Sequence, residues 1–416
     1  MRMMLVGAGA VGESILKVMQ WRDPKGEWLE YVLVCDYDLK RAEEVVTMMK
    51  GDTRFEASKI DATNTEEMAE LIREHKIDFV MDAAPPFASN MIFDAAFKTG
   101  ADYGSMGTWS VPMEDPAYGL GIENSYTEPM TKYNFDRHEA WKKQGNMAVI
   151  CMGIDPGVVN VFAKYAATEL LDEITEVHVK DGGNLTVPGA DPDDIMFGFN
   201  VWTVLDEVMN PNVEYDEEKG GFIVEKAFAG QEVYEMPEGV GKNTLVKVEH
   251  EEVVTMARYL SQYGLKKATF KISLDENLIT ALKVLDKLGL RSIKPMQVGD
   301  VKVVPRDVVA ACAPQPKDIG DEMTGKMLVG VQCIGKKDGK EKEYFLYQPF
   351  DNQESIERWG TQAVTAQTGF GAALALELIG RGIWKEAGVY APEYFDPKPY
   401  LELMEESGYK YGIIEK

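Results

Sequence analysis

Two stretches of the chain hold residues whose types and spacing can do chemistry. The first is Gly7-Ala8-Gly9-Ala10-Val11-Gly12, a Gly-x-Gly-x-x-Gly run placed directly after the apolar residues 3–6. Each glycine has its own task in such a run. Gly7 permits a tight turn, Gly9 lets a pyrophosphate approach the backbone, and Gly12 lets the next helix pack close on the strand. That helix, over 13–20, points its N-terminal amides at the phosphates. The second stretch is Glu249-His250-Glu251-Glu252, which sets one of the chain's four histidines among acids. A flanking carboxylate raises a histidine's pKa and fixes its tautomer, which suits acid–base or orienting work. The plainer alternative is a surface histidine in an acidic segment.

The elements around the glycine run follow the order that dinucleotide binding requires. A second apolar run over 31–35 ends in Asp36, 24 residues beyond Gly12. A ribose-binding acid belongs there, at the end of a second strand. Residues 55–60 form a third strand, closed by Asp61-Ala62; Asp61 caps the adenine or N-caps the helix over 65–75. A fourth strand over 78–83 leads into Ala83-Ala84-Pro85-Pro86, a rigid turn at the edge where open α/β sheets bind ligands, followed by a helix over 89–99. Gly104 and Ser105 close a short fifth strand, and they join the cofactor-binding set with Ala83, Ala84 and Pro85. Residues 107–136 read as a long loop over the mouth of the site. After a helix over 135–144 and a sixth strand over 147–152 comes Gly153-Ile154-Asp155-Pro156-Gly157, running into a helix over 158–171. Asp155 N-caps that helix, or Gly153, Asp155 and Pro156 face the nicotinamide across the cleft.

From residue 174 the pattern changes. Residues 174–181 alternate like a half-buried strand that Gly182-Gly183 breaks, with Lys180 and Asp181 at its end, in reach of the cleft. Later strands are expected at 222–225, 245–248, 268–272, 297–304, 327–334 and 343–348, with helices at 278–288 and 306–312. Residues 335–339 form a hairpin turn. A chain of 416 residues exceeds one ordinary core. The expected fold is α/β: a Rossmann doubly wound parallel sheet (1–152), then a second α+β domain with a mostly antiparallel sheet (153–345). A C-terminal helix and tail (346–416) return to the first domain. The small residues over 353–380 imply close helix packing.

A net charge of −25 repels nucleic acid and anionic membranes, so neither is an expected partner. No uninterrupted apolar run approaches the ~18 residues of a spanning helix. The four cysteines, Cys35, Cys151, Cys312 and Cys333, lack metal or disulfide spacing, so no metal is expected. The N-terminus enters a strand at once, and the expected location is cytoplasmic.

Several stretches together resemble the saccharopine dehydrogenase family: 7–12, Ala84-Pro85-Pro86, Gly153-Ile154-Asp155-Pro156-Gly157-Val158, Val248 to Val253, Gly335 to Gly339, Gln367-Thr368-Gly369 and the stretch 388–395. The resemblance runs almost end to end, and the Gly-x-Asp-Pro-Gly turn is its most specific part. It implies hydride transfer between a nicotinamide cofactor and a carbon–nitrogen bond, a mixed-sheet substrate domain and a homodimer. The reaction interconverts an imine, formed from an aldehyde and an amine, with a secondary amine. The substrate would be an amino acid or a polyamine-type amine, as in saccharopine, carboxynorspermidine and lysine dehydrogenases, and the chain looks closer to the first two. Two features depart from relatives. Tyr103 is followed by Gly104 and Ser105 where many carry an acid. Asp36 stands where NADP-using relatives often have arginine, so NAD is preferred and NADP is the alternative. The site needs an acid–base group, with His250 the first candidate and Lys180 and Asp181 behind it. It also needs holders for substrate carboxylates, for which Arg258 and Arg306 are the candidates. Trp109, Phe197, Phe199 and Trp202 are candidates to line an amphipathic pocket.

Overall fold

In the computed structural model, residues 1–109, 130–191, 194–195, 197, 201–292, 294–314 and 322–416 are described, apart from the side chains of Trp202, Thr203 and Asp206. Most of the expected loop over 107–136, together with Phe199 and the Trp202 side chain, therefore lies outside the described residues.

The first sheet starts from an apolar segment whose residues 3–6 are fully buried. Strand β1 (Arg2–Val6) has parallel neighbours on both sides, β2 (Tyr31–Asp36) and β4 (Phe79–Asp82). With both faces covered, such strands read as continuous apolar runs rather than alternating ones. β3 (Phe55–Lys59) extends one side; β5 (Asp102–Ser105), β6 (Met147–Val149) and the strand Gly388–Tyr390 extend the other, giving a seven-stranded sheet. The order reverses between β1 and β4, and that is where a doubly wound sheet opens its ligand crevice. The glycine run sits at this point.

The expected second domain is also present. Strand β7 (Glu173–Gly183) lies inside a nine-stranded sheet, parallel to Lys267–Ser273 and antiparallel to Lys326–Lys337. All its other pairings are antiparallel, including the long hairpin Lys326–Lys337 with Lys340–Asp351. Gly182 and Gly183 do not break β7; they pair with Leu328 and Met327. The missing side chain at 182 leaves room for Asn243, whose Oδ1 would stand 2.7 Å from a Cβ there.

The tail does more than return to the first domain. Gly388–Tyr390 completes the parallel sheet beside β6, while Gly412–Glu415 pairs with Tyr344–Tyr347 of the second sheet. Between them, helix Ala363–Gly380 packs on helix Ala10–Arg22 as its small residues foretold. A Cβ on Gly369 would come 2.4 Å from the Ser14 hydroxyl. Arg22 grips the fully buried Glu377 with two hydrogen bonds of 2.7 and 2.8 Å. Removing one partner of such a pair costs about 3–5 kcal/mol. Helix Ala363–Gly380, though interrupted by Thr365, Gln367, Thr368 and Glu377, is by length and composition long and apolar enough to cross a membrane. However, 78% of it is buried in protein, as in the core helix of a two-domain fold.

Candidate active site

Gly9 is the N-cap of helix Ala10–Arg22, and a Cβ placed on it meets nothing within 4 Å. The other two glycines are enclosed. Gly7 has φ +105°, and its Cβ would fall 2.4 Å from the Ala83 carbonyl oxygen; that of Gly12 would fall 2.1 Å from the Gly7 carbonyl oxygen. The run thus divides its tasks as the sequence suggests, with two glycines for packing and one facing open space. Gly9 and Ala10 are exposed, Val11 is half-buried and Ala8 is buried. This cradle fits a dinucleotide pyrophosphate on a helix N-terminus.

Asp36 ends β2 beside the run. Its Oδ2 accepts from the Ala8 amide at 2.8 Å and its Oδ1 from the Asp38 amide at 3.0 Å. Arg41 does not face outward as a phosphate clamp; it donates to the Ala8 carbonyl at 2.8 Å and pairs with Glu13. Ala83 and Ala84 flank Gly7 at the crevice, Pro85 is the cap residue of the next helix, and Pro86 rather than Ser89 opens it, since proline is tolerated in a first turn. Asp61 is not an N-cap. It is exposed and accepts from the Thr63 amide and hydroxyl, while Asn64 caps helix Thr65–Glu74. Ala62 is half-buried next to it. Gly104 lies within β5, where a Cβ would strike Met152 at 2.3 Å, so its bareness serves sheet packing. Ser105 is buried and donates to the Gly107 carbonyl at 2.8 Å.

Asp155 does not cap the following helix either. Gly157 is the cap residue, at φ +146°, and the Asn160 side chain accepts from its amide at 2.7 Å. A Cβ on Gly157 would meet the Gly153 carbonyl oxygen at 2.1 Å, which keeps the Gly153–Gly157 turn closed. The Asp155–Pro156 bond is cis. Asp155, half-buried and released from capping, joins a group of acids from the second domain.

His250 stands among these acids. Its ring stacks on Phe270 with centroids 3.9 Å apart and planes 8° off parallel. Nδ1 bonds to Glu252, and because a carboxylate accepts, Nδ1 carries the proton. Nε2 lies 3.7 Å from Glu207. Burial disfavours the imidazolium, but the Glu252, Glu207 and Glu251 carboxylates outweigh it and hold the pKa well above the ordinary value. Burial pushes Asp181 up to about 7; the His250 charge opposes the rise and Glu252 adds to it. Burial also takes Glu207 up to about 7 against the pull of His250. For Asp155, burial and then Asp181 and Glu252 raise the carboxyl well above its usual range. One oxygen each of Asp181 and Glu252 is buried without a hydrogen-bond partner. Atoms of His250, Glu251 and Glu252 lie within 4.8 Å of one another, as metal ligands would. They are already engaged, Glu252 with His250 and Glu251 with Thr108, so hydrogen bonds organise the group.

Of the three sequence candidates for acid–base work, the structure brings His250 and Asp181 together and separates Lys180. Successive strand residues face opposite sides, so Lys180 points away from Asp181. It pairs with Glu232 and lies over the Tyr234 ring at 4.5 Å. The arginines also lie elsewhere. Arg258 is exposed and lies over Phe135 at 4.1 Å. Arg306 is buried, donating to the Arg291 carbonyl at 2.8 Å, and Arg291 in turn donates to the carbonyl of Met209. Trp109 is half-buried beside Thr108, and Phe197 is buried.

Glu207 was not foreseen, because no helix is expected between residues 183 and 222. Its helix, Val201–Met209, buries Val201, Val204, Leu205, Val208 and Met209. That spacing is the mark of an amphipathic helix, visible in the sequence. Asp82 was missed too. It ends β4 fully buried, accepts from Tyr103 at 2.9 Å, and is pushed up to about 6 by burial against bonds from Ser89, Ala84 and Tyr103.

Comparison with known proteins agrees with the fold. Residues 3–149 match the model of the saccharopine dehydrogenase NADP binding domain, and residues 153–409 that of the saccharopine dehydrogenase C-terminal domain. A carboxynorspermidine synthase of Vibrio cholerae is 27% identical over all of this chain and 97% of its own length. A carboxyaminopropylagmatine dehydrogenase of Synechocystis is 25% identical over 98% of this chain and 96% of its own. Among solved structures, saccharopine dehydrogenase of Saccharomyces cerevisiae superposes with a TM-score of 0.68 at 14% identity, covering 100% of this chain and 99% of that one. Homospermidine synthase of Legionella pneumophila in complex with NAD gives 0.67 at 14% identity, covering 100% of this chain and 91% of that one. The chain belongs to the saccharopine dehydrogenase family, NAD(P)-dependent oxidoreductases of carbon–nitrogen bonds.

Proposed function

We propose that this enzyme reduces the imine formed between an amino-acid semialdehyde and a primary amine of the diamine or polyamine class, giving a carboxyalkyl secondary amine. The observation that carries the reading is the set of carboxyls around His250: Asp181 and Glu252, which are buried, and Asp155 and Glu207, which are half-buried. Arg258 does not join them; it is exposed and lies over Phe135. A dicarboxylate amine such as glutamate would meet like charge there. A diamine brings an ammonium group, which favours the ionised form that desolvation and like charge disfavour in these carboxyls and engages the unpartnered oxygens of Asp181 and Glu252. The Vibrio and Synechocystis relatives, whose names specify polyamine-type products, support the same reading.

When bound, the nicotinamide supplies the hydride. The chain's residues manage the rest. Asp181 and Glu207 hold the amine; Glu207, at about 7, takes the ammonium proton so that the free amine attacks the aldehyde, and the His250 imidazolium donates a proton to the departing hydroxyl, which leaves as water. For the cofactor the reading favours NAD. The Asp36 carboxylate accepts well from a ribose hydroxyl and repels a 2′-phosphate, and Arg41 is already engaged. The reading also includes a homodimer, supported by the family resemblance. A cytoplasmic location fits the four free cysteines.

NADH oxidation with two substrate pairs tests the proposal. Turnover is expected with aspartate semialdehyde and 1,3-diaminopropane. Turnover confined to aminoadipate semialdehyde and glutamate would assign the enzyme to the saccharopine branch. Turnover of a primary amine with release of free ammonia would make it a lysine-type deaminating enzyme.

A further inference from the structure

Glu251 separates His250 from Glu252 in the sequence; its Oε2 lies 3.7 Å from His250 Nδ1, while its Oε1 faces a different part of the molecule. It stands at the start of helix Glu252–Leu260 and is 5% exposed. Its Oε1 accepts from the Thr108 amide at 2.7 Å and the Thr108 hydroxyl at 3.2 Å. Thr108 is itself buried and lies three residues past the end of β5, on the nucleotide-binding side of the cleft. Gly107 makes room for the contact, since a Cβ there would stand 3.1 Å from the same Oε1. One carboxylate therefore joins the exit of β5, where Ser105 and Trp109 flank the contact, to the residue next to His250.

We propose that Glu251 is a positioning residue. Through Thr108 it keeps His250 in register with the cofactor-side strand end, so that occupation of the nucleotide site is felt at the imidazole. Glu251 touches no reacting atom; it acts through His250. An amide at this position keeps the acceptor oxygen for Thr108, whereas a methyl group does not.

Two readouts on the full chain test this. The first is NMR of the labelled imidazoles, of which the chain has four, with and without NADH. The second is steady-state kinetics, and only this arm rests on the imine-reduction reading. In the wild type and in Glu251→Gln, NADH is expected to shift the His250 imidazole resonances. In Glu251→Ala that shift is lost, and kcat falls about 10–100-fold with NADH affinity held within about threefold. Gly107→Ala, which crowds the contact from the other side, shows a smaller loss of the same kind and serves if Glu251→Ala does not fold. An unchanged NADH-induced shift in Glu251→Ala overturns the proposal. So does a Glu251→Gln loss as deep as that of alanine, because the charge and not the Thr108 contact would then matter. If the wild type turns over no amine, the imine-reduction reading fails while the imidazole shifts still decide the role of Glu251.

Discussion

The glycine run and the His250 cluster recognise their ligands in opposite ways. The run is contiguous, and its open point is a bare backbone: Gly9 has nothing within 4 Å of a Cβ and is exposed. The cluster is assembled from Asp155 after β6, Asp181 on β7, Glu207 on helix Val201–Met209, and the 250–252 segment, and its working atoms are side-chain oxygens, those of Asp181 and Glu252 buried. The difference teaches that backbone amides read an anionic group common to many substrates, whereas desolvated carboxyls read a particular cation. The first is tolerant of sequence around it; the second depends on each acid.

The largest effect expected from breaking this contrast is at His250. Replacing it with asparagine should lower kcat by about 10²–10³-fold while leaving NADH binding within about twofold, as measured by steady-state kinetics and nicotinamide fluorescence. Next come the glycines. Gly9→Val should weaken NADH binding by about tenfold or more without lowering Tm. Gly12→Ala should destabilise the fold, because its Cβ would meet the Gly7 carbonyl oxygen at 2.1 Å. Equal Tm losses in both variants would erase the division between ligand-facing and packing glycines. A comparable effect is expected at Asp36, where Asp36→Ser should shift the NADPH-to-NADH preference about tenfold toward NADPH.

A pH series sharpens the cluster side. The Asp181 pKa is raised from 3.8 in an unperturbed chain to about 7 in the fold. A raised carboxyl pKa means that the protonated form is favoured by folding. That contribution is complete below pH 3.8 and is lost as the pH rises through 7. Asp181→Asn, which cannot ionise, should therefore match the wild type in stability at acid pH. At pH 8 it should exceed the wild type by about 1–4 kcal/mol, read as a higher Tm in apo protein. The smallest effect belongs to Lys180→Met. On the opposite face of β7, it should leave kcat within about twofold.

Legibility in the sequence followed the same contrast. The nucleotide half could be read because its signals are local: an apolar run, glycines at fixed spacing, a helix, and an acid at the next strand end. The cluster half could be read only in part. His250 stood out by its flanking acids, but nothing in spacing says that Asp155 leaves its helix cap for a buried group, since Gly157 and Asn160 close that helix instead. Lys180 and Asp181 looked equivalent as neighbours at a strand end, and only the choice of buried face separates them. Arg258 and Arg306 had the right chemistry for carboxylates, yet one lies over Phe135 and the other backs a neighbouring carbonyl, contacts set by tertiary packing. Glu207 was readable in principle from the apolar spacing of its helix.

The most direct test of the central claim is calorimetric titration of amines into the enzyme saturated with NAD⁺. 1,3-Diaminopropane is expected to bind, with affinity about tenfold or more weaker in Asp181→Asn, and glutamate is expected not to bind. Binding of glutamate but not the diamine, or a diamine affinity indifferent to Asp181, would contradict the claim that the buried carboxyls select a cationic amine.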